Sequence, residues 1–341
     1  MGELFTGEYP ARTAVCESDT RSRSGMTDAD ERLSRAVVFR VQKFSTANGP
    51  GIRTVIFLKG CPLSCRWCPY PEGISYRPEL LYYPDRCIGC HDCVEICPNA
   101  ALSPVEDHIA IHRHFCQACG TCVLSCPSGA LEIAGHPYSL DALLEIITQD
   151  RTFYQYSGGG VTFAGGEAAS HSGFLRRLAG ACKELAIHTA LETCLIHEWS
   201  TYQVLMPHID LWIVNLRIME TRLHKIGTGY GVWAVLENVR MLASSRANIW
   251  IRTPIIPGWT DSESNIRAMA EFLRDYAGVI HRWELNAFSD NRRLYPTLGQ
   301  VYVSESLPAV HPDRLNALAD LARRVCGGQI PVVTSGPTLV G

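Results

Sequence analysis

The sequence predicts an α/β protein in which a parallel sheet is wound with helices and interrupted by a small cysteine-rich insert. Three observations carry this. Short apolar or β-branched runs alternate with amphipathic helical segments. The residues of unusual chemistry follow those runs, where parallel folds keep their sites. Fifteen cysteines are present, and eight of them form two four-cysteine runs with identical spacing. At 341 residues, 46% apolar and 19% charged, the chain suffices for one large domain or two smaller ones. Lys plus Arg (31) against Asp plus Glu (34) gives a net charge of −3, which offers no basic field to nucleic acid or an anionic membrane. No apolar run reaches the roughly 18 residues of a membrane helix, and the polar N-terminus lacks a signal-peptide core. A cytoplasmic protein is expected.

In chain order, residues 1–35 are poor in apolar side chains and read as a disordered lead, with Met26 as an alternative start. Residues 36–79 begin the sheet, with a first strand over Thr54–Leu58. The insert occupies 80–135. Residues 136–306 complete the sheet, with strands expected at Val161–Phe163, His188–Leu191, Leu211–Leu216, Ile249–Ile256 and Arg282–Asn286. Between them Leu140–Thr148, Phe174–Leu185 and Asn265–Tyr276 repeat apolar residues three and four apart, as crossover helices do. Residues 307–341 hold a helix over His311–Cys326, with Leu315, Leu318, Ala322 and Val325 on one face, and a short strand over Ile330–Val333 that closes the side of the sheet.

So many cysteines in a reducing compartment imply chemistry. Cys87, Cys90, Cys93 and Cys97 read CxxCxxCxxxCP, and Cys116, Cys119, Cys122 and Cys126 repeat the run 29 residues later. Bacterial ferredoxins hold two 4Fe-4S clusters with this run, the fourth cysteine of each serving the other cluster. That crossing assigns Cys87, Cys90, Cys93 and Cys126 to one cluster and Cys116, Cys119, Cys122 and Cys97 to the second. A zinc knuckle or a disulfide framework is the competing reading, but zinc favours paired CxxC units and disulfides an oxidising compartment. Cys16, Cys182, Cys194 and Cys326 receive no role.

Cys61, Cys65 and Cys68 form CxxxCxxC, which supplies three thiolates and leaves one metal position open, the mark of a catalytic centre. With Trp67 before the third cysteine, the motif resembles that of radical S-adenosylmethionine (SAM) enzymes, in which SAM chelates the open iron of a 4Fe-4S cluster. Gly165, Gly166 and Glu167 look like the loop that holds the SAM amino group. The stretches FSTANGPGIRTVIFLKGCPLSCRWC, SGGGVTFAGGE, HTALETC and IRTPIIPGWTDSESNI, with the insert, resemble glycyl-radical-enzyme activases from about Val37 to Thr297. The resemblance implies a partial six-stranded (β/α)6 radical SAM barrel carrying a bacterial-ferredoxin-like insert. It implies SAM and three 4Fe-4S clusters, one binding SAM and two auxiliary, with an external electron donor such as flavodoxin or ferredoxin. It maps Gly165, Gly166, Glu167, Glu192, Thr193, Asn215 and Arg252 onto SAM contacts.

The chain departs from that family at three places. Activases usually read DGPGIRT where Asn48 stands here, DLK where Asn215, Leu216 and Arg217 stand, and LPYH where ELNAFS ends in Ser289. Asp to Asn removes a charge, and Lys to Arg replaces a point ammonium with a planar fork. The expectation drawn from this is direct attack on a small sugar-acid nucleoside, as in the cytosylglucuronate decarboxylases of nucleoside antibiotic pathways. A glycyl radical enzyme partner belongs to the alternative, an activase. Under the direct reading Arg217, Arg252, Arg292 and Arg293 are candidate carboxylate anchors, Glu220 a candidate base, and His224 a substrate contact.

Overall fold

The computed structural model describes residues 34–302 and 307–338, so the expectations for the N-terminal lead, Met26 and Cys16 lie outside the described residues. The main sheet has nine strands: β1 (Arg35–Ser45), β2 (Arg53–Leu58), β7 (His136–Ser139), β8 (Gly160–Gly165), β9 (His188–Thr193), β10 (Leu211–Asn215), β11 (Ile249–Ile255), β12 (Ile280–Ala287) and β13 (Val332–Ser335). β3 to β6 lie between β2 and β7 and are described below. The order is β13-β12-β11-β10-β9-β8-β2-β1-β7. From β2 through β13 every neighbouring pair is parallel, whereas β1 runs antiparallel to both β2 and β7. The result is a mixed sheet consistent with a partial barrel, its ends unpaired with each other among the described residues.

The six expected strands all form, each within two residues of its predicted ends. They read as continuous apolar runs because helices cover one face and the barrel interior the other; β2 is buried throughout and β8 nearly so. β1 and β7 are additions that periodicity did not reveal: β1 mixes buried and half-exposed residues and pairs as a bulged edge ribbon. β13 joins β12 in parallel, so the C-terminal strand lengthens the sheet as a seventh parallel strand.

Helices Leu140–Gln149, Ser172–Glu184, Glu263–Arg274 and Pro312–Val325 match the amphipathic stretches. Ser139 and Ser262 cap two of them by accepting from Ala142 N and Asn265 N. Leu143, Leu175, Leu178, Leu273 and Leu318 turn inward with Trp212 and Trp283 to form one continuous core. Helices Thr221–Thr228 and Trp233–Ser244 also form.

Between β2 and β7, β3 (Glu79–Tyr82) pairs antiparallel with β6 (Leu131–Ala134), and β4 (Leu102–Val105) with β5 (His108–Ile111). Two single-turn helices, Asp92–Glu95 and Thr121–Ser125, complete this segment, with Leu80, Leu102, Ile109, Leu131 and Ile133 as its own small core. It joins the main body through Lys59, fully buried two residues before Cys61. The Lys59 ammonium donates to the Glu72 carbonyl and pairs with Glu79 Oε2 at 2.7 Å.

Candidate functional site

A cavity of about 240 Å³ opens at the C-terminal ends of the parallel strands. The register of the sheet builds one wall. Asn215 opposes Arg252, and Arg252 opposes Glu284, on adjacent strands. Arg252 Nη1 donates to Glu192 Oε1 at 3.0 Å and Nε to Glu284 Oε2 at 2.9 Å, while Nη2 donates to the Ala47 carbonyl. Asn215 Nδ2 donates to Glu192 Oε1 at 3.1 Å and Asn48 Nδ2 to Glu192 Oε2 at 3.0 Å. Glu192 thus accepts from one guanidinium and two amides. Burial pushes its carboxyl up, but Arg252, Asn215 and Asn48 outweigh that push and hold it below the usual carboxylate range.

The opposite wall carries Cys61, Cys65 and Cys68, on the loop after β2, with Trp67 packed against Trp259 at 5.1 Å. The loop is pinned by Ser64 N donating to the Thr228 carbonyl and Arg66 N to the Gly227 carbonyl, both at 2.9 Å. Burial pushes the Cys61 thiol up to about 12, assisted by Glu167, and raises Cys65 and Cys68 as well. Thiols so placed become thiolates only against a compensating cation.

Gly165 and Gly166 line the cavity at the end of β8. A side chain on Gly166 would meet the carbonyls of Gly73 and Gly60 at 2.4 and 2.5 Å, so only glycine lets these segments close together. Thr193 also lines the cavity. Glu167 does not. Its fully buried carboxylate accepts from Thr193 Oγ1 at 2.8 Å, Cys194 N at 2.7 Å and Ala169 N at 3.2 Å, which makes it a support beneath the wall.

Three further expectations are corrected. Glu220 is the N-cap of helix Thr221–Thr228, accepting from Arg222 N and Leu223 N away from the cavity, and a capping carboxylate is a helix device. His224 is buried on that helix and hydrogen-bonds Tyr230 O and Thr228 Oγ1; burial lowers its imidazole below the usual value. Of the four candidate arginine anchors, Arg217 and Arg252 line the cavity, whereas Arg292 pairs with Asp290 at 2.7 Å and neither it nor Arg293 lines it. Arg217 donates to the Asn215 carbonyl at 3.4 Å and the Cys194 sulfur at 3.3 Å.

Cys194, Tyr70, Asn286 and Phe288 also line the cavity, and sequence reasoning gave them no role. Cys194 had a legible signal, since it follows Glu192 and Thr193 directly at the end of a strand.

The eight remaining run cysteines border two small recesses. Cys97, Cys116, Cys119 and Cys122 line one, beside Leu80. Cys87, Cys90, Cys93 and Cys126 line the other, beside Tyr82. Among the described residues no three His, Cys, Asp or Glu side chains converge as one shared ion requires. Thiols spread around a recess suit a multi-iron cluster better than zinc, whose sulfur ligands sit about 2.3 Å from a single centre.

Comparison with known proteins agrees with this architecture. The Radical SAM superfamily model matches residues 55–273. The chain is 39% identical over 258 residues to the benzylsuccinate synthase activating enzyme of Thauera aromatica, covering 74% of this chain and 78% of that enzyme. It is 38% identical over 285 residues to the (2S)-3-sulfopropanediol sulfolyase activating enzyme of Bilophila wadsworthia, covering 82% and 94%. A solved domain of a pyruvate-formate lyase-activating enzyme from Bacteroides vulgatus covers 52% of this chain and 99% of its own, at 24% identity and a TM-score of 0.43. With a cavity built from CxxxCxxC, Gly165-Gly166 and the Glu192–Arg252 pair, the chain belongs to the radical SAM superfamily, alongside the glycyl-radical-enzyme activating enzymes.

Proposed function

We propose that this chain is an activating enzyme that installs a glycyl radical on a partner glycyl radical enzyme. The observation that carries the reading is 35–39% identity to enzymes named as activating enzymes over about three-quarters of the chain. Cys61, Cys65 and Cys68 hold a 4Fe-4S cluster, and Gly165, Gly166, Thr193, Asn215 and Arg252 form the SAM side of the cavity. When bound together, the cluster and SAM supply a 5′-deoxyadenosyl radical. The protein orients SAM against its glycine backbone, keeps Glu192 ionised through Arg252 and two amides, and shields the centre with Trp67 and Phe288. The eight insert cysteines hold two further 4Fe-4S clusters that take electrons from a flavodoxin or ferredoxin.

A second reading, direct decarboxylation of a small sugar-acid nucleoside, is favoured by one feature of the cavity. Arg217 faces it with no carboxylate partner among the described residues, donating only to a carbonyl and a thiol. A buried guanidinium in that state is an anchor for an anionic substrate. Asn48 and Asn215 keep the surroundings free of added negative charge.

Anaerobic incubation of the reconstituted, reduced protein with SAM tests both. A glycyl EPR doublet on a candidate partner, with one 5′-deoxyadenosine per radical, supports the first reading. Release of CO2 from cytosylglucuronic acid, with no partner present, overturns it in favour of the second. Absence of 5′-deoxyadenosine under every condition overturns both.

A further inference from the structure

We infer that the two cysteine recesses form an ordered electron relay. The recess of Cys97, Cys116, Cys119 and Cys122 is the inner station, that of Cys87, Cys90, Cys93 and Cys126 the outer one, and Arg113, Thr297 and Tyr295 connect the inner station to Cys68. The inference rests on the reading that both recesses hold 4Fe-4S clusters.

The order follows from β3. Its first residue, Glu79, is tied to Lys59 beside the SAM cavity. The next residue, Leu80, borders one recess, and Tyr82 borders the other. At about 3.3 Å per strand residue, the second recess lies about 7 Å farther along the strand from the barrel. Its Cys90 is exposed and flanked by Ile88, which is 66% exposed, so it presents a surface to an incoming donor.

The connection is a chain of hydrogen bonds. Arg113, three residues before Cys116, donates through Nη1 to the Leu80 carbonyl at 2.9 Å and through Nη2 to the Thr297 carbonyl at 3.1 Å. Thr297 closes the one-turn helix Leu294–Thr297, on which Tyr295 is almost fully buried and donates its hydroxyl to the Cys68 carbonyl at 3.0 Å. Asn291 Nδ2 steadies the same loop by donating to the Pro69 carbonyl at 2.9 Å. Leu298 packs with Leu81 and Ala134 across the junction, which leaves the route dry and its geometry fixed. One short helix therefore touches the SAM-side cysteine loop at one end and the inner recess at the other.

The transfer is one electron per passage. A low-potential flavoprotein donor is oxidised by one electron as the outer cluster is reduced. The outer cluster is reoxidised as the inner one is reduced, and the inner is reoxidised as the cluster on Cys61, Cys65 and Cys68 gains the electron. No bond forms or breaks.

The test is rapid freeze-quench EPR of the full-length reconstituted protein mixed with reduced flavodoxin, following the cluster whose signal shifts on adding SAM. Tyr295→Phe and Arg113→Met each remove one link of the route. Both are expected to slow reduction of that cluster by about 10- to 100-fold, the usual cost of losing an outer-shell partner, while the insert clusters reduce at the wild-type rate. Cys119→Ala should block that reduction even though the outer cluster still charges. Unchanged rates in both route variants overturn the relay, as does fast SAM-side reduction in Cys119→Ala coupled with loss in Cys90→Ala. Iron and sulfide analysis separates the two levels: about twelve irons per chain leaves the cluster reading standing while rates judge the relay, and about four overturns both.

Discussion

Replacing Arg252 with Met should destabilise the protein in a way that depends on pH. The guanidinium is 11% exposed and bridges Glu192, 17% exposed, to Glu284, 8% exposed. Removing one member of a buried ion pair costs about 3–5 kcal/mol because the other charge is left uncompensated. Glu192 has an escape, since it can take up a proton, and at pH 7.5 that costs an ordinary carboxyl about 4 kcal/mol. Two amides still hold it, so about 3 kcal/mol at pH 7.5 is expected, a drop of roughly 5–10 °C in Tm. In the wild type the carboxyl sits below its unfolded value, so it contributes stability at neutral pH that is lost as pH falls through the folded value. In the variant, burial without the guanidinium raises the carboxyl above its unfolded value, so its penalty is present at neutral pH and vanishes below the unfolded value near about 4.3. The gap between the two proteins should therefore narrow to under about 1 kcal/mol near pH 4.5. Circular-dichroism melts of the metal-free proteins at both pH values measure it. An equal gap at both would refute the electrostatic argument and assign the loss to packing.

Gly166→Ala places a methyl against two backbone carbonyls at 2.4 and 2.5 Å, so about 1–3 kcal/mol of strain and weakened SAM binding by calorimetry are expected; wild-type affinity would show that the segments part freely. Glu220→Ala should lower Tm slightly through loss of the helix cap and leave 5′-deoxyadenosine formation unchanged; lost turnover at constant Tm would restore Glu220 as a base. Cys194→Ala should retain the iron bound by Cys61, Cys65 and Cys68, whereas Cys61→Ala should lose it; comparable iron loss in both, by metal analysis and absorbance near the cluster band, would make Cys194 a ligand.

Much of the site was legible because its residues sit where strand patterns end. Cys61, Gly165, Thr193 and Asn215 each follow or close an apolar run, and periodicity alone placed them at one end of the sheet. Arg252 was legible only through resemblance, since it lies inside β11 and nothing in a linear pattern links it to Glu192, 60 residues earlier. Glu220 and His224 misled because a carboxylate and an imidazole just beyond a strand look chemically active, while the helix that absorbs them, Thr221–Thr228, has too short an apolar stripe to announce itself. β1 escaped notice because its half-exposed, bulged residues follow neither the helical nor the strand period for long.

The Lys59–Glu79 pair makes the cysteine-rich segment hard to treat as a detachable cassette. Any excision or graft that takes Glu79 strips a wholly buried ammonium of its carboxylate, leaving the Glu72 carbonyl as its remaining partner, two residues from Cys61. Burial already presses that lysine toward its neutral form against the pull of Glu79. A minimal barrel made by deleting the segment should therefore carry a compensating change at position 59, such as methionine, before its folding or its capacity to load iron is judged.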